Sequence, residues 1–588
     1  MRLVLDFETY YDDTGYSLEK MHTLEYVRDP QFLVHGAGVK VDEEDTQWLP
    51  EADLRSFVRS LPNNVELICH NTYFDGLILF HHYSFVPSTY RDTLSMARAL
   101  LIHAPELNLD YLCNLLGIGA KVPEALQPTQ GLRTLPLDIA RRLGEYAIND
   151  VDLTDELYER LLPGLPDDEL RLIDLTMRWC CRPTLHVDLP RLAKAYRIAM
   201  RNRRDYIKQS GASMEVLSSQ PKFREHLEHL GIEVPYKTNS KGKTIPALAK
   251  NDLGFCQMIA DNPDHRALFD GRLAAKSTLE ITRIKRIYRI GSRGTLPMPL
   301  KFYGAHTGRW SGSDGLNPQN FTRESELRKS IIAPPGWVIL VADSKQIEPR
   351  LNMWFCKESY WLRVFIEGKD IYRATAAAHF GITYEDISKS QRFFGKTLEL
   401  GLSYNMGWKK FRTQSALKEI YLTKEQAYQA VTAYRNKHSR LHEMWRHLTM
   451  CLSNMYQKGF EQQLGPVTLV HEGILLPNDM RLDYSDLTPT EDGDWFYGPK
   501  RVKIYGGKML ENIIQALARI VLGEHLLKIE AAGITTVSST HDEPIMLVRE
   551  EDAEEGAETV RKIMTTSPDW CSEVPLEVDI GWAKEYSK

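Results

Sequence analysis

With 588 residues, 43% hydrophobic and 26% charged side chains, the chain has room for about two to four globular domains. Its formal charge of −6 excludes a uniformly basic nucleic-acid wrapper, although basic grooves and carboxylate-rich sites cancel in such a sum. Its eight cysteines include no C-x-x-C pair or other zinc-ligand spacing, and no apolar run reaches membrane-spanning length. No repeat or low-complexity tract occurs, and the first residues run straight into a strand pattern with no signal or transit peptide. A cytoplasmic setting, in a bacterium or a phage-infected cell, fits these features.

The first element, Arg2–Thr9 (RLVLDFET), predicts a strand. Side chains alternate along a strand, so Asp6 and Glu8 share one face. Two adjacent carboxylates repel unless a cation lies between them. A short apolar strand at Leu67–Cys69 leads into His70–Asp75, which sets Asp75 at a helix start. An acid there also serves the helix dipole alone. Asp92–Gly117 predicts amphipathic helix that packs the domain and carries no chemistry. Gly144–Leu161 predicts a helix with Tyr146 and Asp150 at i, i+4 on one face.

Pro163, Gly164 and Pro166 break the helical pattern, so a domain boundary is expected within Leu161–Asp168. Asp188–Ile290 then predicts mostly basic helices. Arg197, Arg201, Arg203, Arg204 and Lys208 form one cationic cluster; Lys276, Arg283, Lys285, Arg286, Arg289 and Arg293 form another. Such runs are either solvated helix faces or contacts to phosphate. The loop Tyr236–Lys250 reads equally as a flexible connector or as a backbone contact.

Three stretches in the C-terminal half carry the most information. Val338–Ala342 predicts a buried strand behind the turn Pro334-Pro335-Gly336, and it delivers Asp343 at its end, ahead of Gln346, Glu348 and Arg350. A strand-end carboxylate is costly unless it is paired or bound; it either caps the next helix or holds a divalent metal. In Gln391–Gly407, Arg392, Lys396, Leu400 and Tyr404 recur every four residues. They form a slanted helical stripe, cationic at one end and apolar to aromatic at the other. That stripe suits a triphosphate at one end and a flat base at the other. In Ile534–Val548, two strand patterns flank His541-Asp542-Glu543-Pro544, a hairpin with Asp542 at its tip. A second turn-borne carboxylate can join Asp343 around a pair of metals.

Together these stretches resemble motifs A, B and C of family A (DNA polymerase I-like) DNA polymerases: Asp343-Ser-Lys-Gln-Ile-Glu-Pro-Arg350, then Arg392-x3-Lys396-x7-Tyr404, then His541-Asp542-Glu543. The N-terminal set resembles the DEDDy group of 3′–5′ exonucleases, as Asp6-x-Glu8, Asn71-x3-Asp75 and Tyr146-x3-Asp150. The fold class implied is a multidomain α/β chain. It comprises an RNase H-like exonuclease domain over residues 1–162 and a right-hand polymerase domain over 163–588. Within the latter the thumb covers about 184–292, the palm about 293–368 and 500–588, and the fingers about 369–499.

The resemblance implies a DNA-dependent DNA polymerase with proofreading. Asp343 and Asp542 would hold two Mg²⁺, for which Mn²⁺ can substitute, and Asp6, Glu8, Asp75 and Asp150 two more. Tyr146 would orient the attacking water. Lys396 and Arg392 would bind the triphosphate, and Lys396 would protonate the leaving pyrophosphate. Glu348 would block a 2′-hydroxyl, Tyr404 would stack near the template–primer pair, and Glu543 would support the metals from outside their ligand set. His541 is placed near the primer end and Gln346 in the substrate site on resemblance alone.

His306-Thr-Gly-Arg309 and Asn317-Pro-Gln319-Asn320 resemble the family's T-G-R and N-L-Q-N stretches, so Arg309, with Gln515, would probe the minor groove. Three departures stand out: Tyr372 where a histidine is usual, Leu400 where an aromatic residue usually faces the sugar, and Asn405 where glycine usually follows the motif B tyrosine. The implied partners are primer–template DNA and dNTPs, with a monomeric chain, no membrane, and helicase or single-strand binding protein left open. No stretch resembles the 5′-nuclease domain of the full bacterial enzyme, and the compact form looks phage-like. An RNA polymerase of related fold, an exonuclease with a dead polymerase half, and a non-catalytic DNA-binding protein are the rival readings.

Overall fold

The computed structural model describes residues 1–121, 127–239 and 242–587. Ser240 and Lys241, the tip of the expected basic loop, lie outside the described residues.

The N-terminal domain is built on a five-stranded sheet of β1 (Arg2–Thr9), β2 (Val34–Val41), β3 (Gln47–Pro50), β4 (Glu66–Cys69) and β5 (Thr89–Asp92), in the order β3-β2-β1-β4-β5. β2 runs antiparallel to β1 and β3, whereas β4 runs parallel to β1 and β5. Leu3, Leu5 and Phe7 pack one side of β1, as the two-residue alternation requires. Helix α1 (Thr72–Tyr83) follows β4, and the long α2 (Leu137–Leu161) lies across β1 and β2. That approach needs Gly38: a Cβ there would sit 2.5 Å from the carbonyl oxygen of Ala147. The glycine thus lets the helix bearing Tyr146 and Asp150 settle against the sheet bearing Asp6 and Glu8. The segment expected as one amphipathic helix is two, Thr93–Leu100 and Leu109–Leu116. The break runs from Leu101 to Asn108 and contains Pro105, which disfavours helix at Ala104.

Helix α3 (Asp167–Cys181) starts after the proline-rich break. Helices α4 (Leu189–Gln209) and α5 (Leu279–Gly291) pack together in the following basic region. The cationic cluster on and after α5 is largely committed to protein contacts. Arg289 pairs with Glu25 at 3.1 Å, Arg293 with Asp29 at 3.2 Å, and Arg283 donates to the Asn320 carbonyl at 3.1 Å. Arg286 is buried against the Asp314 carbonyl. The N-terminal domain supplies the carboxylates for two of these four residues.

The second major sheet is antiparallel throughout: β6 (Trp337–Ser344), β7 (Thr535–Thr540), β8 (Glu543–Arg549) and β9 (Val578–Ala583), in the order β7-β8-β6-β9. Helix α6 (Ile347–Phe355) leaves the end of β6. A helical group follows, including α7 (Ile371–Phe380), α8 (Lys389–Leu402) and α9 (Lys424–Lys437). Two small antiparallel sheets fill Glu461–Ile504, and the buried α10 (Gly506–Ala531) returns to the palm-like sheet. Among the described residues, no helix is long and apolar enough to cross a membrane.

Candidate active sites

At the first site, β1 presents Asp6 and Glu8, α1 presents Asp75, and α2 presents Tyr146 and Asp150. Asp75 does not merely decorate a helix start: its Oδ1 accepts the backbone N–H of Phe7 at 3.1 Å, between the two carboxylates of β1. Burial, and then the neighbouring carboxylates, raises the proton affinity of Asp6, Glu8 and Asp75. Burial raises Asp150 as well, opposed by Lys121. Lys121 was not legible as a site residue. Its ammonium reaches Asp150 Oδ2 at 2.5 Å and the Tyr146 hydroxyl at 3.0 Å, and Asp150 Oδ1 is buried with no partner among the described residues. No local spacing links Lys121 to α2, so only the fold reveals it.

A cavity of about 460 Å³ opens beside α1, lined by His70, Asn71, Arg98 and Lys301 among others. It joins the first domain to the loop after residue 300.

At the second site, β6 ends in Asp343 and the two-residue turn between β7 and β8 brings Asp542 alongside. The Asp542 carbonyl accepts the Ser344 N–H at 3.2 Å, which ties the turn to the end of β6. His541 adopts φ 57°, the left-handed geometry of a tight turn. Burial and then the Asp343 charge push Asp542 up to about 7. Asp343 does not cap the next helix: Gln346 occupies the cap position of α6, at φ 57° and without a side-chain cap bond. Asp343 instead accepts from Arg323 at 3.0 Å. Arg323, also 3.4 Å from Glu543, is a second site residue that sequence reasoning missed. Glu543 is buried and held by Arg328 at 2.8 Å and the Tyr586 hydroxyl at 2.9 Å.

Glu348, in the first turn of α6, accepts from Arg309 at 3.0 Å and from the Tyr404 hydroxyl at 3.3 Å. Tyr404 lies beyond the end of α8, which stops at Leu402; the expected four-residue stripe is therefore helical only as far as Leu400. Arg392, Lys396 and Leu400 do share a solvent-facing side of α8, with Leu400 46% exposed. Tyr372 of α7 lies beneath both cations, with Arg392 5.6 Å and Lys396 5.7 Å from its ring centroid. Its hydroxyl is raised by burial first, with Glu399, Asp370 and Asp542 adding. Gln515 on α10 approaches Thr307 at 3.5 Å and donates to Glu511 at 3.2 Å. The His541 imidazole is lowered by burial and then by Arg309.

Among the described residues, no group of three or more His, Cys, Asp or Glu side chains is arranged to hold a metal ion by itself. The donor sets nonetheless suit hard divalent cations. Each is all-oxygen, each crowds like charges that a cation would relieve, and the first has a buried carboxylate oxygen with no partner among the described residues. Mg²⁺ commonly binds one or two protein carboxylates and completes its shell with water and phosphate oxygens.

Residues 200–465 match the model of DNA polymerase family A, and residues 40–166 match a 3′–5′ exonuclease model. The chain is similar to DNA polymerase family A over the first of these stretches and to a 3′–5′ exonuclease over the second. It carries a 3′–5′ exonuclease domain with an RNase H-like sheet. The polymerase match spans Asp343, Arg392, Lys396 and Tyr404 but ends before Asp542; the exonuclease match spans Asp75, Tyr146 and Asp150 but begins after Glu8.

Among relatives of this chain, a DNA polymerase of Bacillus phage SP02 is 29% identical over 410 residues, covering 59% of this chain and 61% of that protein. DNA polymerase I of Pseudomonas aeruginosa is 27% identical over 282 residues, covering 47% and 28%. The thermostable DNA polymerase I of Thermus filiformis is 24% identical over 476 residues, covering 77% and 53%. The chain thus spans 28–61% of the length of these relatives. The POL domain of Pol1 from M. smegmatis, solved in complex with DNA primer-template and dNTP, has the same fold. That likeness has a TM-score of 0.68 at 18% identity and covers 100% of this chain and 96% of the other.

Proposed function

We propose that the chain copies a DNA template by adding dNTPs to a primer 3′-hydroxyl and removes mismatched ends at a separate exonuclease site. The observation that carries this reading is the pairing of Asp343 with Asp542 across one sheet edge, in a chain that also carries Arg392 and Lys396 together over the Tyr372 ring on one helix face. The proposed division is exonuclease over 1–162 and polymerase over 163–588, with thumb about 184–292, palm about 293–368 and 500–588, and fingers about 369–499.

Asp343 and Asp542 would hold divalent metal, and Asp6, Glu8, Asp75 and Asp150 would do so at the exonuclease site. Bound Mg²⁺ supplies Lewis-acid activation of the attacking oxygen and stabilises charge on the leaving oxygen. The chain's own residues do the rest. Arg392 and Lys396 bind the triphosphate oxygens, and Lys396, which has no carboxylate partner among the described residues, is placed to give a proton to pyrophosphate. Glu348, fixed by Arg309 and Tyr404, presents a carboxylate edge that a 2′-hydroxyl would meet. Arg309 and Gln515 face the primer side, Gln346 and His541 flank the carboxylates, and Leu400 with Tyr404 bounds the base and sugar. Glu543 fixes Arg323 and Arg328 rather than the metals directly. At the exonuclease site Tyr146 and Lys121 orient the water and Asp150 respectively.

A labelled primer–template tests this. With Mg²⁺ and dNTPs the primer should lengthen; with Mg²⁺ alone it should shorten. Shortening in both conditions would support an exonuclease with a dead polymerase half. Binding without either reaction would support a DNA-binding protein.

A further inference from the structure

Asp370 divides its two carboxylate oxygens between two tasks. Oδ1 caps α7, accepting the N–H groups of Tyr372 at 2.8 Å and Arg373 at 3.1 Å. Oδ2 takes the guanidinium of Arg392 through both Nε, at 2.8 Å, and Nη2. The two helices are locked in register at this point. A Cβ on Gly395 of α8 would lie 2.0 Å from the Tyr372 carbonyl oxygen, so only glycine permits this contact. Arg392 and Lys396 lie over the same Tyr372 ring, yet among the described residues a carboxylate engages Arg392 and not Lys396.

We propose that Asp370 is a specificity-determining competitor for Arg392, holding the guanidinium until a triphosphate displaces it. This rests on the reading of Arg392 as a triphosphate ligand. A guanidinium bound at one edge by a carboxylate cannot offer that edge to phosphate, so nucleotide entry is an exchange of one anion for another. Lys396 remains available throughout and makes the first contact. The exchange raises the affinity threshold for any polyphosphate, and weakly bound, mispaired nucleotides leave before Arg392 commits.

The pair is 43% and 27% exposed on its Arg and Asp sides, so water screens it, and the exchange is worth roughly a fivefold change in affinity. Asp370→Asn removes the charge but keeps the oxygen that caps α7. Calorimetric titration of the full chain with inorganic tripolyphosphate should show roughly fivefold tighter binding for D370N, and the dNTP KM should fall by a similar factor. In an Arg392→Gln background the same substitution should change neither. Asp370→Ala, which also loses the cap, should lower the melting temperature, whereas D370N should not.

Unchanged or weaker tripolyphosphate binding by D370N, with Arg392→Gln still weakening it, would overturn the competition and leave the reading of Arg392 intact. A D370N effect that persists with Arg392→Gln would also overturn it. Tripolyphosphate binding indifferent to Arg392→Gln would remove Arg392 from the triphosphate site, and the proposal would fall with it.

Discussion

Replacing Arg519 should destabilise the whole C-terminal half, because it forms a buried ion pair joining three parts of the fold. Arg519 of α10 and Glu169 of α3 have side chains only 2% and 3% exposed. Their second contact is 2.7 Å long, Arg519 Nε donates to the Gly308 carbonyl at 3.1 Å, and Asn478 donates to Glu169 at 2.8 Å. Phe302, Tyr303 and Trp310 surround the guanidinium at 4.9–5.2 Å. Arg519→Met leaves the Glu169 carboxylate buried with Asn478 as its one remaining side-chain donor among the described residues. Breaking such a pair from one side costs about 3–5 kcal/mol. Urea unfolding followed by circular dichroism measures this cost. Removing both charges, as Glu169→Leu with Arg519→Met, should recover most of the loss, because two apolar groups replace the pair without stranding a charge. A single-variant cost under about 1 kcal/mol, or a double variant as unstable as the sum of the singles, would refute this account of the pair.

Other consequences follow from single residues. Burial pushes Glu399, inside the α8–α9 contact, up to about 7. The folded state therefore holds a proton that the unfolded state releases near its usual carboxylate value, and stability present below about pH 4.5 is lost as pH rises through 7. Glu399→Gln should flatten that decline and gain up to about 3 kcal/mol at pH 8, measured by denaturant unfolding across pH; a parallel slope in both proteins would contradict it. Gly395→Ala must part α7 from α8, so the dNTP KM should rise while exonuclease rate holds; an unaltered KM would mean the two helices are not in register when nucleotide binds. Lys121→Met should slow primer shortening, by freeing Asp150 and Tyr146 to move, without touching extension; equal slowing of both reactions would point to a folding defect.

The local geometry of both sites was largely legible, and what joins them was not. Asp6 and Glu8 share a face because strands alternate, and Asp542 sits at a turn because two strand patterns leave two residues between them. Those are nearest-neighbour properties. Lys121 comes from a loop 25 residues before Tyr146, with no periodicity to place it. Arg289 of α5 and Arg293 just after it read as part of a charge run, and their partners Glu25 and Asp29 lie more than 260 residues away in sequence. A charge run reveals its own sign and not the position of its counter-charge. Tyr404 departs from the helical stripe because α8 ends at Leu402, where Ser403 turns its hydroxyl back onto the Glu399 carbonyl; spacing alone cannot mark that end. The conformational trap of Asp370 was invisible for the same reason, since its capping role and its ion pair belong to two different helices.

The most direct test of the central claim is a separation-of-function assay on a labelled primer–template with Mg²⁺. Asp343→Ala should abolish lengthening with dNTPs while shortening continues, and Asp6→Ala should abolish shortening while lengthening continues. Loss of both reactions in either variant, or retention of lengthening by Asp343→Ala, would contradict two separate carboxylate sites with two separate chemistries.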